Sequence, residues 1–181
     1  MADADELYAA AAGRERSGRA AGRSVSPVPE DFHTLTPHLT VRGVERAVDF
    51  YRRAFGAEEL YRNLLPDGET VVHAELLVGD SRFFVRDEFP DRGVLSPLSL
   101  GGSPITLHLY VRNATAAFER AVRAGAEVLM PLIDTFWGDR YGMVRDPFGH
   151  TWSIASRIED LSPAEIQERA RAWHEEKWNG R

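Results

Sequence analysis

The feature that most constrains this chain is that it resembles itself. Shifted by 70 residues, Thr36-Pro37-His38-Leu39-Thr40-Val41-Arg42 lies on Thr106-Leu107-His108-Leu109-Tyr110-Val111-Arg112. At the same shift Ala47 meets Ala117, Arg53-Ala54 meets Arg123-Ala124, and Gly79 meets Gly149. An internal repeat of this size is one supersecondary unit used twice, and each copy supplies the apolar partner that the other needs. The two units span 33–90 and 103–160, joined by a linker at 91–102.

Each unit reads as βαβββ. A period-2 alternation at His38–Arg42, and again at His108–Arg112, marks a strand with one face buried. Val44, Ala47, Val48, Tyr51 and Phe55 then recur at i, i+3, i+4 and i+7, as do Ala114, Ala117, Phe118, Ala121 and Val122, so a helix follows each strand. Gly56 and Gly125 stand where a helix C-terminus takes a left-handed residue. Three further strands are expected in each unit, over 58–64, 70–78 and 82–87, then over 127–130, 141–146 and 150–156. The turn residues Pro66-Asp67-Gly68, Gly79-Asp80-Ser81 and Asp146-Pro147-Phe148-Gly149 separate them. In the tail, Ser162-Pro163-Ala164-Glu165 carries an N-cap serine, a first-turn proline and a capping-box glutamate, so residues 161–181 are read as a C-terminal helix. Residues 1–32 are expected to form a flexible extension, with a short helix at Asp5–Ala12 and a stretch rich in Gly, Ser, Arg and Pro at Gly13–Pro29.

Composition excludes several classes of function. The net charge of −6 does not favour nucleic acid. There is no cysteine, which removes disulfides, thiolate metal sites and cysteine nucleophiles. No apolar run approaches the roughly 20 residues that cross a bilayer. Asp3, Asp5 and Glu6 stand where a secretion signal carries positive charge, so a cytoplasmic location is expected.

Three stretches carry a family resemblance: Ala47-Val48-Asp49-Phe50-Tyr51 with Phe55-Gly56, Trp137-Gly138-Asp139-Arg140-Tyr141-Gly142, and Asp146-Pro147-Phe148-Gly149-His150-Thr151-Trp152. In this order they resemble the vicinal oxygen chelate superfamily, the fold of glyoxalases, bleomycin-resistance proteins and extradiol dioxygenases, and within it the PhnB-like branch. The resemblance implies an α+β protein: two tandem βαβββ modules forming a curled mixed-sheet cleft, with the helices outside and a C-terminal helix added. It also implies a twofold homodimer. Enzymes of this fold hold one divalent metal with four side chains, two from the first strands of the modules and two from the last. Carried onto this chain, those positions fall on Thr36, Phe83, Thr106 and Ser153. None is a good ligand, because such sites use His, Asp, Glu or Cys. The usual metal site is therefore expected to be absent. The alternative is one displaced divalent metal at His38, His108 and Glu75.

Alternation from these positions predicts the cleft lining as Thr36, His38, Thr40, Thr106, His108 and Tyr110 from the first strands. Phe83 and Ser153 join them from the last strands. Trp137 and Tyr141 are placed to stack on a planar ligand, and Arg140 to hold an anionic group, unless it merely anchors its loop with Asp139. His38 and His108 are repeat mates with three open roles: acid–base or hydrogen-bonding groups facing a ligand, structural histidines, or the displaced metal pair. The expected function is a metal-independent binder of an aromatic or polycyclic compound, acting in sequestration or resistance. The alternative is an isomerase, cyclase or lyase using His38 and His108 for proton transfer. The expected partners are a small molecule and a second copy of the chain, with neither nucleic acid nor membrane.

Overall fold

The computed structural model describes residues 25–178, so the helix read at Asp5–Ala12 lies outside it. The first repeat folds as β1 (His38–Val41), α1 (Val44–Phe55), β2 (Glu58–Leu64), β3 (Val71–Val78) and β4 (Ser81–Asp87). After a 3-10 turn (Pro90–Arg92) and the short helix α2 (Pro97–Leu100), the second repeat follows. It contains β5 (Thr106–Tyr110), α3 (Ala114–Ala124), β6 (Glu127–Asp134), β7 (Asp139–Arg145) and β8 (Thr151–Arg157). The tail helix α4 (Pro163–Trp178) closes the series, with Ser162 N–H and Oγ both donating to Glu165 Oε2.

Each module is a four-stranded mixed sheet, in the order β1-β4-β3-β2 and β5-β8-β7-β6. The β1–β4 and β5–β8 pairs are parallel and the others antiparallel. A crossover helix makes a parallel pair possible, and here that helix covers one sheet face. Val44, Ala47, Val48, Tyr51 and Phe55 are buried against the sheet together with Leu39, Val41, Leu76 and Val85. Burial of each large side chain contributes about 1.5–3 kcal/mol, so this stripe is what holds α1 in place.

The two modules meet through their helices and through one aromatic cluster. Tyr51 of α1 lies 5.6 Å from Trp152 of β8, Phe55 lies 4.6 Å from Trp152, and Phe50 lies 6.1 Å from Phe148. Asp146, 3% exposed, accepts hydrogen bonds from Tyr51 Oη, Trp152 Nε1 and the backbone N–H groups of Phe148 and His150. His150 reaches back across the junction, its Nε2 donating to the Thr40 carbonyl at 3.1 Å. The conspicuous Asp-Pro-Phe-Gly-His turn is thus a bracket between the modules.

One expectation fails on register. His108 pairs with Ser153 in β5–β8, but His38 pairs with Phe84, not Phe83, in β1–β4. Bonded partners are 45 residues apart in the second module and 46 in the first, so the 70-residue shift loses phase by one before β4. A slip of one residue turns a side chain to the other face. Phe83 accordingly sits in the core, 5.5 Å from Tyr51 and 6.0 Å from Trp152. Phe84 takes its place beside His38.

The linker is also more ordered than a bare loop. Glu88 accepts from Ser96 N–H, Ser96 Oγ, Ser99 Oγ and Arg42 Nε. These bonds hold the Glu88 carboxyl down at about pH 2 against an ordinary 4.5, with the Ser99 bond contributing most. They fold the linker onto the helix side, where Pro97 and Leu98 pack at Gly149, instead of across the histidine-bearing faces.

Candidate functional site

On each sheet the face away from the helices carries a group of polar and aromatic side chains. In the first module His38, Thr40, His73, Phe84 and Arg86 share that face. His38 is 5.6 Å from Phe84 and 5.9 Å from His73, both edge-on, and His73 is 4.5 Å from Phe84. Thr40 Oγ1 accepts from Arg86 Nε at 3.2 Å. Partial burial, then the Arg86 charge, then His73 push the His38 imidazole from 6.5 down to about 4. His38 is therefore neutral at physiological pH, able to donate from one ring nitrogen and accept at the other.

At the outer end of this face the chain before β1 folds over the sheet. Phe32 lies 5.8 Å from Phe84, and the Arg82 guanidinium sits 5.0 Å over the Phe32 ring while its Nη2 contacts Asp31 at 3.2 Å. Arg82 also pairs with Glu75. Glu75 thus shares the His38 face but is engaged by an arginine, and among the described residues no three His, Asp or Glu side chains converge. The trio His38, His108 and Glu75 is not assembled within the chain.

In the second module an aromatic group surrounds His108. Its ring lies 4.5 Å from Tyr110, edge-on, and 6.1 Å from Tyr141, nearly parallel, and Tyr141 lies 5.6 Å from Trp137. His108 Nδ1 and Ser153 Oγ are hydrogen-bonded at 2.7 Å. Asp139, 3% exposed, organises the aromatics from below. Its Oδ2 accepts from Tyr110 Oη at 2.7 Å and from Trp137 Nε1 at 3.1 Å. That bond, with burial and the carboxylate charge, raises the Tyr110 hydroxyl above its usual 10. The turn needs Gly138, whose φ is +90° and where a Cβ would lie 2.9 Å from the Glu159 carbonyl oxygen.

Arg140 is paired with a carboxylate in its own sheet. Its Nε and Nη2 donate to the two Asp134 oxygens at 2.7 and 2.9 Å, so it ties β7 to β6. Thr36 precedes β1, and Thr106 opens β5 opposite Thr151. With Phe84 in the register position of Ser153, the four positions implied by the family are Thr36, Phe84, Thr106 and Ser153. Two are threonines, one a serine bonded to His108, and one a hydrocarbon ring. This donor set does not fit a divalent metal. Sequence reasoning missed Arg86 and Phe84, both lost with the register; the sequence left open which face His73 and Glu75 take, and both lie on the His38 face.

The His38 and His108 groups are not in ring contact with each other. Both faces are open within one chain, with Tyr110 61% and Tyr61 56% exposed. A concavity of about 460 Å³ lies instead on the helix side, between Arg42, Arg46, Phe50, Leu98 and Phe148.

Two βαβββ modules, each a four-stranded mixed sheet with a polar–aromatic face away from its helix, describe a known group of proteins. The family model for the glyoxalase/bleomycin resistance protein/dioxygenase superfamily matches residues 32–154. The chain belongs to that superfamily. An uncharacterised protein of Mycobacterium tuberculosis is 44% identical over 136 residues, covering 74% of this chain and 79% of its own. The crystal structure of TioX from Micromonospora sp. ML1 is 28% identical with a TM-score of 0.54, and the match covers 72% of this chain and all of TioX. The fold is shared with a PhnB protein from Bacillus cereus at 19% identity and a TM-score of 0.52, over 68% of this chain and 99% of that one. No described helix is long and apolar enough to cross a membrane.

Proposed function

We propose that this member of the superfamily binds a planar aromatic small molecule without a metal, in sequestration or carriage. The observation that carries the reading is the aromatic group of His108, Tyr110, Trp137 and Tyr141 on an open sheet face, two of whose rings, Tyr110 and Trp137, are fixed by donating to the buried Asp139. Rings fixed by a buried carboxylate lose little freedom on binding, so stacking a planar ligand on them is favourable. The unsuitable donor set supports independence from metal. A second copy of the chain would close the exposed faces, and a homodimer is part of the proposal.

The test joins two measurements. Elemental analysis of the purified protein should find less than about one divalent ion per ten chains, and chelators should leave Tm unchanged, because a metal bound only to the folded state would raise it. Titration with a library of polycyclic compounds should quench tryptophan fluorescence, and Tyr141→Ala should weaken that binding. Stoichiometric metal, or quenching indifferent to Tyr141, would sink the reading.

A second reading has one observation in its favour. His108 is bonded to a hydroxyl, Ser153, an arrangement suited to moving a proton on a bound substrate. Turnover of any bound compound that is lost in His108→Gln would promote this reading over sequestration.

A further inference from the structure

Six arginines lie on the strands, and five of them have a carboxylate partner: Arg62 with Glu59, Arg82 with Glu75, Arg140 with Asp134, Arg145 with Glu127 and Arg157 with Asp160. Arg86 is the exception among the described residues. Its side chain makes one hydrogen bond, from Nε to the neutral Thr40 Oγ1, and both terminal nitrogens are without a partner. Scarcity of acids is not the cause, since the chain carries 28 acidic residues against 22 basic ones. Arg86 is only half-buried, and its unpartnered nitrogens are not sealed from solvent, so a negative group arriving on this face can reach them.

Its surroundings narrow what that something is. Arg86 stands on the face shared by His38, His73 and Phe84, two residues along β4 from Phe84 and opposite Thr40. The neighbouring imidazole of His38 is uncharged, so it offers hydrogen bonds without competing for an anion. Phe84 and His73 supply ring surface beside the charge.

We propose that Arg86 is a specificity-determining residue and that the ligand is an aromatic acid, carrying a carboxylate, sulfonate or phosphonate that the guanidinium receives. This rests on the site and the homodimer proposed above and deepens them: the aromatic group of one copy's second module takes the ring system, and Arg86 on the first-module face of the second copy takes the anion. A guanidinium meets such groups with paired donors in one plane, which gives direction as well as attraction.

Two dyes of one skeleton test it on the full chain: 1-anilinonaphthalene-8-sulfonate and the uncharged N-phenyl-1-naphthylamine, both followed by fluorescence. The sulfonate should bind at least about tenfold tighter, the scale of one hydrogen-bonded charge pair. Arg86→Met should erase that preference while leaving the neutral dye's affinity unchanged, and Arg86→Lys should keep part of it. The neutral dye reports whether the Met variant still has a pocket, and if that variant does not fold, Arg86→Lys decides through a smaller loss. Unchanged sulfonate affinity in Arg86→Met overturns the assignment, as does a preference removed by Arg46→Gln in the helix-side groove. If Arg86 proves indifferent while Tyr141→Ala weakens both dyes, the pocket stands and only the anion assignment falls. If neither dye binds, or Tyr141→Ala affects neither, the pocket reading fails and takes this inference with it.

Discussion

Tyr51 Oη donates to Asp146 Oδ2 at 2.9 Å, joining the helix of the first module to the hairpin of the second within a fully buried aromatic cluster. Burial, and then the Asp146 charge, push the Tyr51 hydroxyl well above its usual range, so it stays a donor at any working pH. Removing that donor leaves Asp146 still bonded to Trp152, so Tyr51→Phe should destabilise by about 1–2 kcal/mol. Asp146→Ala orphans four donors at once and should cost about 3–5 kcal/mol. Urea unfolding of both variants checks the ordering, and an equal loss for the two would contradict the bracket role.

The register at β4 separates two adjacent phenylalanines. Phe83→Ala opens a cavity against Tyr51 and Trp152 and should cost about 3–5 kcal/mol of stability. Phe84→Ala, on the open face, should lose much less stability and instead weaken ligand binding. A larger stability loss for Phe84 than for Phe83 would mean that the strand is out by one residue.

Gly142 lies where α3 packs on its sheet. A Cβ there would lie 2.7 Å from a Phe118 ring carbon and 3.1 Å from the Leu132 backbone. Its φ is not positive, so the constraint is space and not backbone strain. Gly142→Ala should destabilise by about 1–3 kcal/mol through overpacking, and Phe118→Leu in the same chain should recover part of the loss. An unchanged Tm in the single variant would show that the helix seats farther out.

Acid should act through two groups in two windows. Folded His38 gives up its proton near pH 4 against 6.5 when unfolded. Between those values the unfolded chain holds more protons, and stability falls as pH is lowered. Discounted for the solvent around this half-exposed ring, the fall should be about 1 kcal/mol. His38→Gln should flatten it. Glu88 has its carboxyl lowered from 4.5 to about 2, so its contribution is complete above 4.5 and is lost as pH drops toward 2. Glu88→Gln should remove that second slope and leave the first, and a pH–stability profile of the three proteins distinguishes them.

What the amino-acid sequence determined by itself was the local and the repeated. The alternation around Leu39 and Val41, the helical spacing of Val44 to Phe55, the capping box at Ser162 and the 70-residue echo follow from periodicity within a few residues. They were enough for two βαβββ modules, while the resemblance to the superfamily rested on the motif stretches at Phe50-Tyr51, Trp137–Gly142 and Asp146–Trp152. The histidines on the first strands were legible because β1 and β5 keep phase with the repeat. Only the tertiary structure decided which face β4 shows, because one extra residue upstream reverses every side chain in a strand while leaving its composition unchanged. Only it could show Arg140 held by Asp134 and Arg86 left without a carboxylate. A pair or a vacancy of that kind depends on which strands lie side by side, and adjacency across a sheet is set by the packing of both helices and the aromatic junction at Tyr51 and Trp152.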